Sequence, residues 1–243
     1  MVNYLDLGKI CFKNWLKYGQ FAHDPNEYIV LHDRRLLVQI ISKVACTSIK
    51  ATIGKAIGIN YQLPSGLDIH RNPKWHNLYG DQIKPYSNYK LICFVRNPLA
   101  RLVSCYKQKV VFDPKNSEFD SYYFKHYPFS IKANESFSEF LNQVININDF
   151  AADRHFKSQY HSIFKNREPD FIGKLENIKE DWEYIAERYD FPKRLLRLNP
   201  NNNAKHLPDQ WQAYYSDHDF DKAIKRFQID INEFDYKQAL IAK

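Results

Sequence analysis

Glycine is scarce, with seven in 243 residues, and no Gly-x-x-x-x-Gly-Lys-Ser/Thr run occurs, so a Walker-type triphosphate loop is excluded. Each glycine is therefore a candidate turn. No stretch of about 18 apolar residues is present to span a bilayer, and Met1 to Gln20 has no secretory apolar core. A soluble, cytoplasmic chain is expected. The four cysteines, Cys11, Cys46, Cys93 and Cys105, lack a metal-ligand spacing and are read as reduced, with no bound metal. Repeats, low-complexity tracts and Gly/Ser linkers are also missing, which leaves a single domain over residues 1–243.

What is present is a globular composition, 44% hydrophobic and 16% aromatic. The formal charge of +7 is uneven: residues 1–115 hold 17 Lys+Arg against 7 Asp+Glu, whereas residues 116–243 hold 18 against 21. A field of that sign draws in anionic ligands, whether nucleotide, nucleic acid or acidic glycan.

Three segments share one design. Arg35–Ser42 ("RLLVQIIS") is a continuous apolar run of strand length, followed by a helix from about Thr47 to Ile57 that Gly58 ends. Tyr89–Pro98 ("YKLICFVRNP") is a buried strand with Pro98 in the first turn of the next helix. Asp170–Ile178 leads into a helix with Trp182, Ile185, Ala186 and Tyr189 on one apolar face. Strands alternating with helices predict an α/β fold, a central, mainly parallel sheet flanked by helices, with ligands bound beyond the carboxyl ends of its strands. The aromatic, weakly periodic segment at about 111–135 reads as an insertion or lid. Near the C-terminus, Phe220, Ile224 and Phe227 form a helical face that packs on the core.

The turns Lys43–Ser48 and Arg96–Ser104 then lie on one sheet edge. A helix N-terminus offers unpaired N–H groups to an anion. Lys43 adds a cation before it, and Thr47 and Ser48 add hydroxyls or serve as ordinary N-caps. Arg96 ends the second strand and Ser104 lies two turns into the helix after it, with Arg101 nearby. Two such sites suit a ligand with phosphates at both ends.

"SKVACTSIK" followed about fifty residues on by "FVRNPLARLVSCY" resembles the paired 5′-phosphosulfate and 3′-phosphate motifs of the carbohydrate sulfotransferases, especially the Golgi group acting on chondroitin and dermatan. "DRHFKSQ" (Asp153–Gln159) is similar to that group's His-Trp segment, and "DFIGKLENIKEDWEYI" to its Gly-Lys-x-Glu strand and helix. The likeness runs in order from Leu36 to Tyr189. It implies a three-layer, P-loop-like fold with 3′-phosphoadenosine-5′-phosphosulfate as donor. Lys43, Ala45, Cys46, Thr47 and Ser48 would hold the 5′-phosphosulfate, and Arg96 and Ser104 the 3′-phosphate. Lys43 would also stabilise the leaving phosphate. Ser42 stands where the family has proline, and Phe156 replaces the tryptophan after His155. The family's disulfide cysteines and membrane anchor have no counterpart.

Transfer to a hydroxyl requires a base, and histidine suits neutral pH. Related glycan 2-O-sulfotransferases carry theirs about twenty residues before the 3′-phosphate arginine. By that likeness His76, twenty residues before Arg96, is the first choice. His70 and His155 are the alternatives, with roles toward the acceptor. Lys174, Glu176 and Lys205 read as structural or as flanking the nucleotide. The acceptor is expected to be a carbohydrate, and the basic first half leans toward an anionic polysaccharide. A P-loop kinase and a non-catalytic nucleic-acid- or glycan-binding module are the competing readings; the second explains the charge but not the two ordered strand-turn-helix units.

Overall fold

The computed structural model describes residues 4–59, 69–70, 72–111, 131–196 and 211–237. Most of the expected lid at 111–135 and the Lys205 loop lie outside the described residues.

Five strands form one sheet: β1 (Glu27–Leu31), β2 (Leu36–Ile40), β3 (Asn77–Tyr79), β4 (Lys90–Val95) and β5 (Phe171–Lys174). Their order is β3-β1-β2-β4-β5. β1 is antiparallel to both neighbours, while β2–β4 and β4–β5 are parallel, so four of the five strands point one way. The flanking helices are α1 (Tyr4–Tyr18), α2 (Cys46–Ala56), α3 (Pro98–Lys109), α4 (Phe137–Val144), α5 (Gln159–Ile163), α6 (Ile178–Tyr189), α7 (Asp217–Arg226) and α8 (Gln228–Glu233). Among the described residues no helix is long and apolar enough to cross a membrane. All four cysteines carry free thiols.

The mostly apolar run of β2, broken only by the buried Gln39, follows from burial on both faces. Leu36 and Val38 join the main core with α2, α3 and α6, whereas Leu37 joins a second cluster with Tyr28, Val30, Ile83 and Leu91. Alternate side chains of a strand point to opposite faces, and here neither face meets water. The helix boundaries follow local chemistry. Gly58 (φ +74°) closes α2: Ile59 N–H donates to the Gly54 carbonyl at 2.8 Å and Gly58 N–H to that of Lys55 at 3.3 Å. Asn97 caps α3 by accepting from the N–H groups of Leu99 (3.0 Å) and Ala100 (3.2 Å), and Pro98 takes the first helical position. The β1–β2 hairpin and the short β3 were not legible in the three-unit pattern.

β4, β5 and α6 meet through an aromatic stack. The ring of Phe94 lies 6.2 Å from those of Phe171 and Trp182 and crosses directly over Gly173. A Cβ at Gly173 would sit 2.4 Å from Phe94 Cε1. Gly173→Ala should therefore force Phe94 off its packing and destabilise the fold by about 1–3 kcal/mol. Thermal unfolding checks this: a melting temperature lowered by roughly 2–4 °C per kcal/mol is expected for a chain of this size, and an unchanged one refutes the contact.

Candidate active site

β2 and β4 are parallel neighbours, so the turns that leave their carboxyl ends emerge side by side. Arg96 Nη1 approaches the Lys43 carbonyl at 3.5 Å. The first turn makes its bend without glycine. Lys43 (φ +68°) and Ala45 (φ +50°) both adopt the left-handed conformation, which ordinary residues enter at a cost of about 1–2 kcal/mol each. Ala45 is the N-cap of α2 and no side chain caps that helix. Thr47 and Ser48 are thus not caps; they lie inside the first turn of α2, whose N–H groups face the turn.

Lys43 is half-buried and its ammonium donates to Gln108 Oε1 at 2.7 Å. Burial pulls its proton affinity down to about 8; nearby Cys105 and Cys46 oppose the shift, and Arg96 and Lys109 add to it. An anion beside the ammonium would favour its charged form. Gln108 belongs to a polar stripe on α3, Arg101, Ser104 and Gln108, at i, i+3 and i+7. That spacing within an apolar helix was the signal for Gln108, which sequence reasoning missed.

Arg101, a cation beside the second turn, is not on the surface but 2% exposed. Its Nε donates to the Ser42 carbonyl (2.9 Å), Nη1 to that of Lys157 (2.7 Å) and Nη2 to that of Arg154 (2.6 Å). It therefore binds the first turn to the Asp153–Gln159 segment. Arg96 is held by its backbone: its N–H donates to Gln159 Oε1 (3.0 Å), and Gln159 Nε2 donates back to its carbonyl (2.8 Å). Gln159 is anchored by Asp230 in α8, whose carboxylate accepts from the N–H groups of Gln159 (2.9 Å) and Tyr160 (2.8 Å) and from Ser158 Oγ (2.6 Å). Glu176 accepts from Asn97 N–H (2.7 Å) and from Tyr236 OH (2.9 Å), which gives it a bracing role, and Lys174 lies over the Tyr236 ring. Ser104 is half-buried one turn before Gln108.

The three histidines fall in different places. His76, the first choice by spacing, lies away from the turns. Trp75 is buried, so the next residue of the extended chain faces outward, and His76 pairs with His32 (2.9 Å between Nδ1 and Nε2) in an exposed cluster with Tyr86 and Tyr89. Its carbonyl accepts from Val30 N–H, and Val30 pairs with Leu37, so Ser42, just past the end of β2, is five residues further along the chain, about 17 Å away at strand rise. A count along the chain could not reveal that the intervening residues double back beside β1.

His70 instead meets the turn: its Nε2 lies 3.1 Å from Thr47 Oγ1. The Trp75 indole N–H, donating to the Ile69 carbonyl at 2.7 Å, fixes the segment that carries it. Burial drives the imidazole's proton affinity down to about 4; Lys50 adds to this and Glu27 opposes it. Behind it lies a buried charge network in which Lys50 (2.7 Å) and Arg154 (2.8 Å) share Glu27, and Arg154 also pairs with Asp24. His155 is held by Asp153, which accepts from its Nδ1 (2.6 Å) and its backbone N–H (2.8 Å). This leaves Nε2 as the acceptor nitrogen. Burial lowers its proton affinity against Asp153, and the charges of Lys109 and Lys43 reach it.

No curated protein and no solved structure gives a significant match to the chain. Residues 26–238, which include every residue of the two turns and all three histidines, match the model described as the sulfotransferase family. The chain belongs to that family.

Proposed function

We propose that the protein transfers a sulfuryl group from 3′-phosphoadenosine-5′-phosphosulfate to a carbohydrate hydroxyl, with His70 as the base. The observation that carries this reading is the convergence of Lys43, the uncapped first turn of α2 and the Thr47–His70 contact on the edge shared with Arg96. Lys43, Thr47, Ser48 and the backbone of Ala45 and Cys46 would hold the 5′-phosphosulfate, and Arg96 and Ser104 the 3′-phosphate. In the transfer, the acceptor oxygen forms a bond to sulfur, the bond from sulfur to the bridging phosphate oxygen breaks, and His70 takes the hydroxyl proton. Lys43 and the α2 N–H groups stabilise the charge that grows on the leaving phosphate. An anion next to His70 raises its proton affinity from its depressed value toward that of a working base. His155, oriented by Asp153, would face the acceptor, and the basic first half favours an anionic polysaccharide.

Titration with 3′-phosphoadenosine-5′-phosphate, and separately with ATP and Mg²⁺, tests the donor, since a ligand that binds only the folded state raises the melting temperature. Stabilisation by the bisphosphate, lost in Lys43→Ala and Arg96→Ala, is expected; preference for ATP would overturn the reading. For the base, His70→Ala should lower kcat by about 10²–10⁴-fold with little change in bisphosphate affinity, while His76→Ala stays close to the parent. The reverse result would return the role to His76.

The two shifted groups also set a pH profile. His70 acts when neutral, so kcat/KM falls as pH drops through about 4, and Lys43 acts when charged, so it falls as pH rises through about 8. In Lys43→Arg, whose guanidinium stays charged, the alkaline limb should vanish; its persistence at about 8 would assign that limb elsewhere.

A further inference from the structure

α1 has two apolar faces, and only one of them is used. Leu7 and Cys11 are buried in the main core, and Asn14 ties the helix down by donating to the carbonyls of Ala22 and His23 at 2.9 Å. On the other side Leu5 (80% exposed), Phe12 (53%), Trp15 (49%) and Leu16 (66%) stand in water. Their positions, i, i+7, i+10 and i+11, place them in one stripe along the helix. Lys9, Lys13 and Lys17 are all exposed and run at i, i+4 and i+8 along one flank of that stripe. Asp6 is the helix's only acidic residue. Just past the helix, Phe21 and Phe150 add two further exposed rings with centroids 6.3 Å apart.

Exposed apolar residues are ordinary when scattered, but a stripe of four on one helix marks an interaction surface. We infer that α1 docks flat on an anionic lipid bilayer, with Phe12, Trp15 and Leu16 in the acyl boundary and Lys9, Lys13 and Lys17 against the headgroups. The composition suits that partner: tryptophan and phenylalanine favour the interface, and lysines add attraction to anionic lipid. At 15 residues the helix is about 22 Å long, enough to lie in the interface and too short to span it. A second copy of the chain is a poorer partner, because the helix and the surrounding first half both carry net positive charge and would repel their own kind. This inference does not depend on the sulfuryl-transfer reading.

Cosedimentation of the full chain with phosphatidylcholine vesicles, with and without phosphatidylserine, tests it. Binding to the anionic vesicles is expected, together with a shift of tryptophan emission to shorter wavelength. Trp15→Phe should abolish the shift while retaining binding, which identifies α1 as the inserted element. Lys9→Gln/Lys13→Gln/Lys17→Gln should weaken binding roughly 100-fold, at about fivefold per lysine. Phe12→Glu/Leu16→Glu should abolish it with the melting temperature unchanged, since both side chains are exposed. Absence of binding to anionic vesicles, or binding that survives Phe12→Glu/Leu16→Glu, overturns the inference. So does a dimer in sedimentation velocity that dissociates in Phe12→Glu/Leu16→Glu, because it would make a second copy the occupant of this face.

Discussion

The candidate site depends on a buried guanidinium. Arg101 spends its three nitrogens on the carbonyls of Ser42, Arg154 and Lys157, and so fixes the start of the first turn against a segment more than a hundred residues later in the chain. A buried cation is costly to desolvate, and it persists only where hydrogen bonds satisfy it. Here all its partners are backbone, so the guanidinium defines positions of main chain rather than a single pairing. Lys43 and Arg96 lie at the ends of strands whose relative placement the sheet sets. The histidine-bearing Asp153–Gln159 segment is not itself part of the sheet and is tied to it through Arg101, through Asp230, and through the Arg154 pairs with Glu27 of β1 and with Asp24.

Backbone strain in the first turn has the same logic. A bend made from lysine and alanine in the left-handed region is less comfortable than one made from glycine. The side chain at position 43 is nonetheless needed to bring charge to the turn, which glycine could not do. The second left-handed residue, Ala45, leaves α2 without a capping oxygen, so its first-turn N–H groups remain available to an external anion. Strain and an open helix end thus occur together in the one turn.

Much of this was legible in the residues. Continuous apolar runs gave away β2 and β4 because both faces of the sheet are covered, and Gly58 and Pro98 marked helix boundaries for local stereochemical reasons. The pairing of the two turns followed from strand direction alone. What stayed hidden is what spacing cannot encode. Equal counts along the chain hid the return of residues 75–79 beside β1, which carries His76 to the far edge and leaves His70 at Thr47. Likewise Gln159, Asp230 and Glu176 act through partners 60 to 79 residues away, and no window of sequence contains both ends of such a bond.

The Asp230 contact also bears on the order of events during synthesis. Domains are made from the N-terminus at roughly 5–20 residues per second and fold as units. In this chain the strands, both turns and all three histidines leave the ribosome well before the carboxylate that pins Gln159 behind Arg96. The nascent protein thus carries its chemical groups early but lacks the late braces of the Arg96 turn, Asp230 behind Gln159 and Tyr236 behind Glu176. The Arg96 turn would become rigid only once Asp230 has emerged and folded back, a built-in delay between making the groups and arming them.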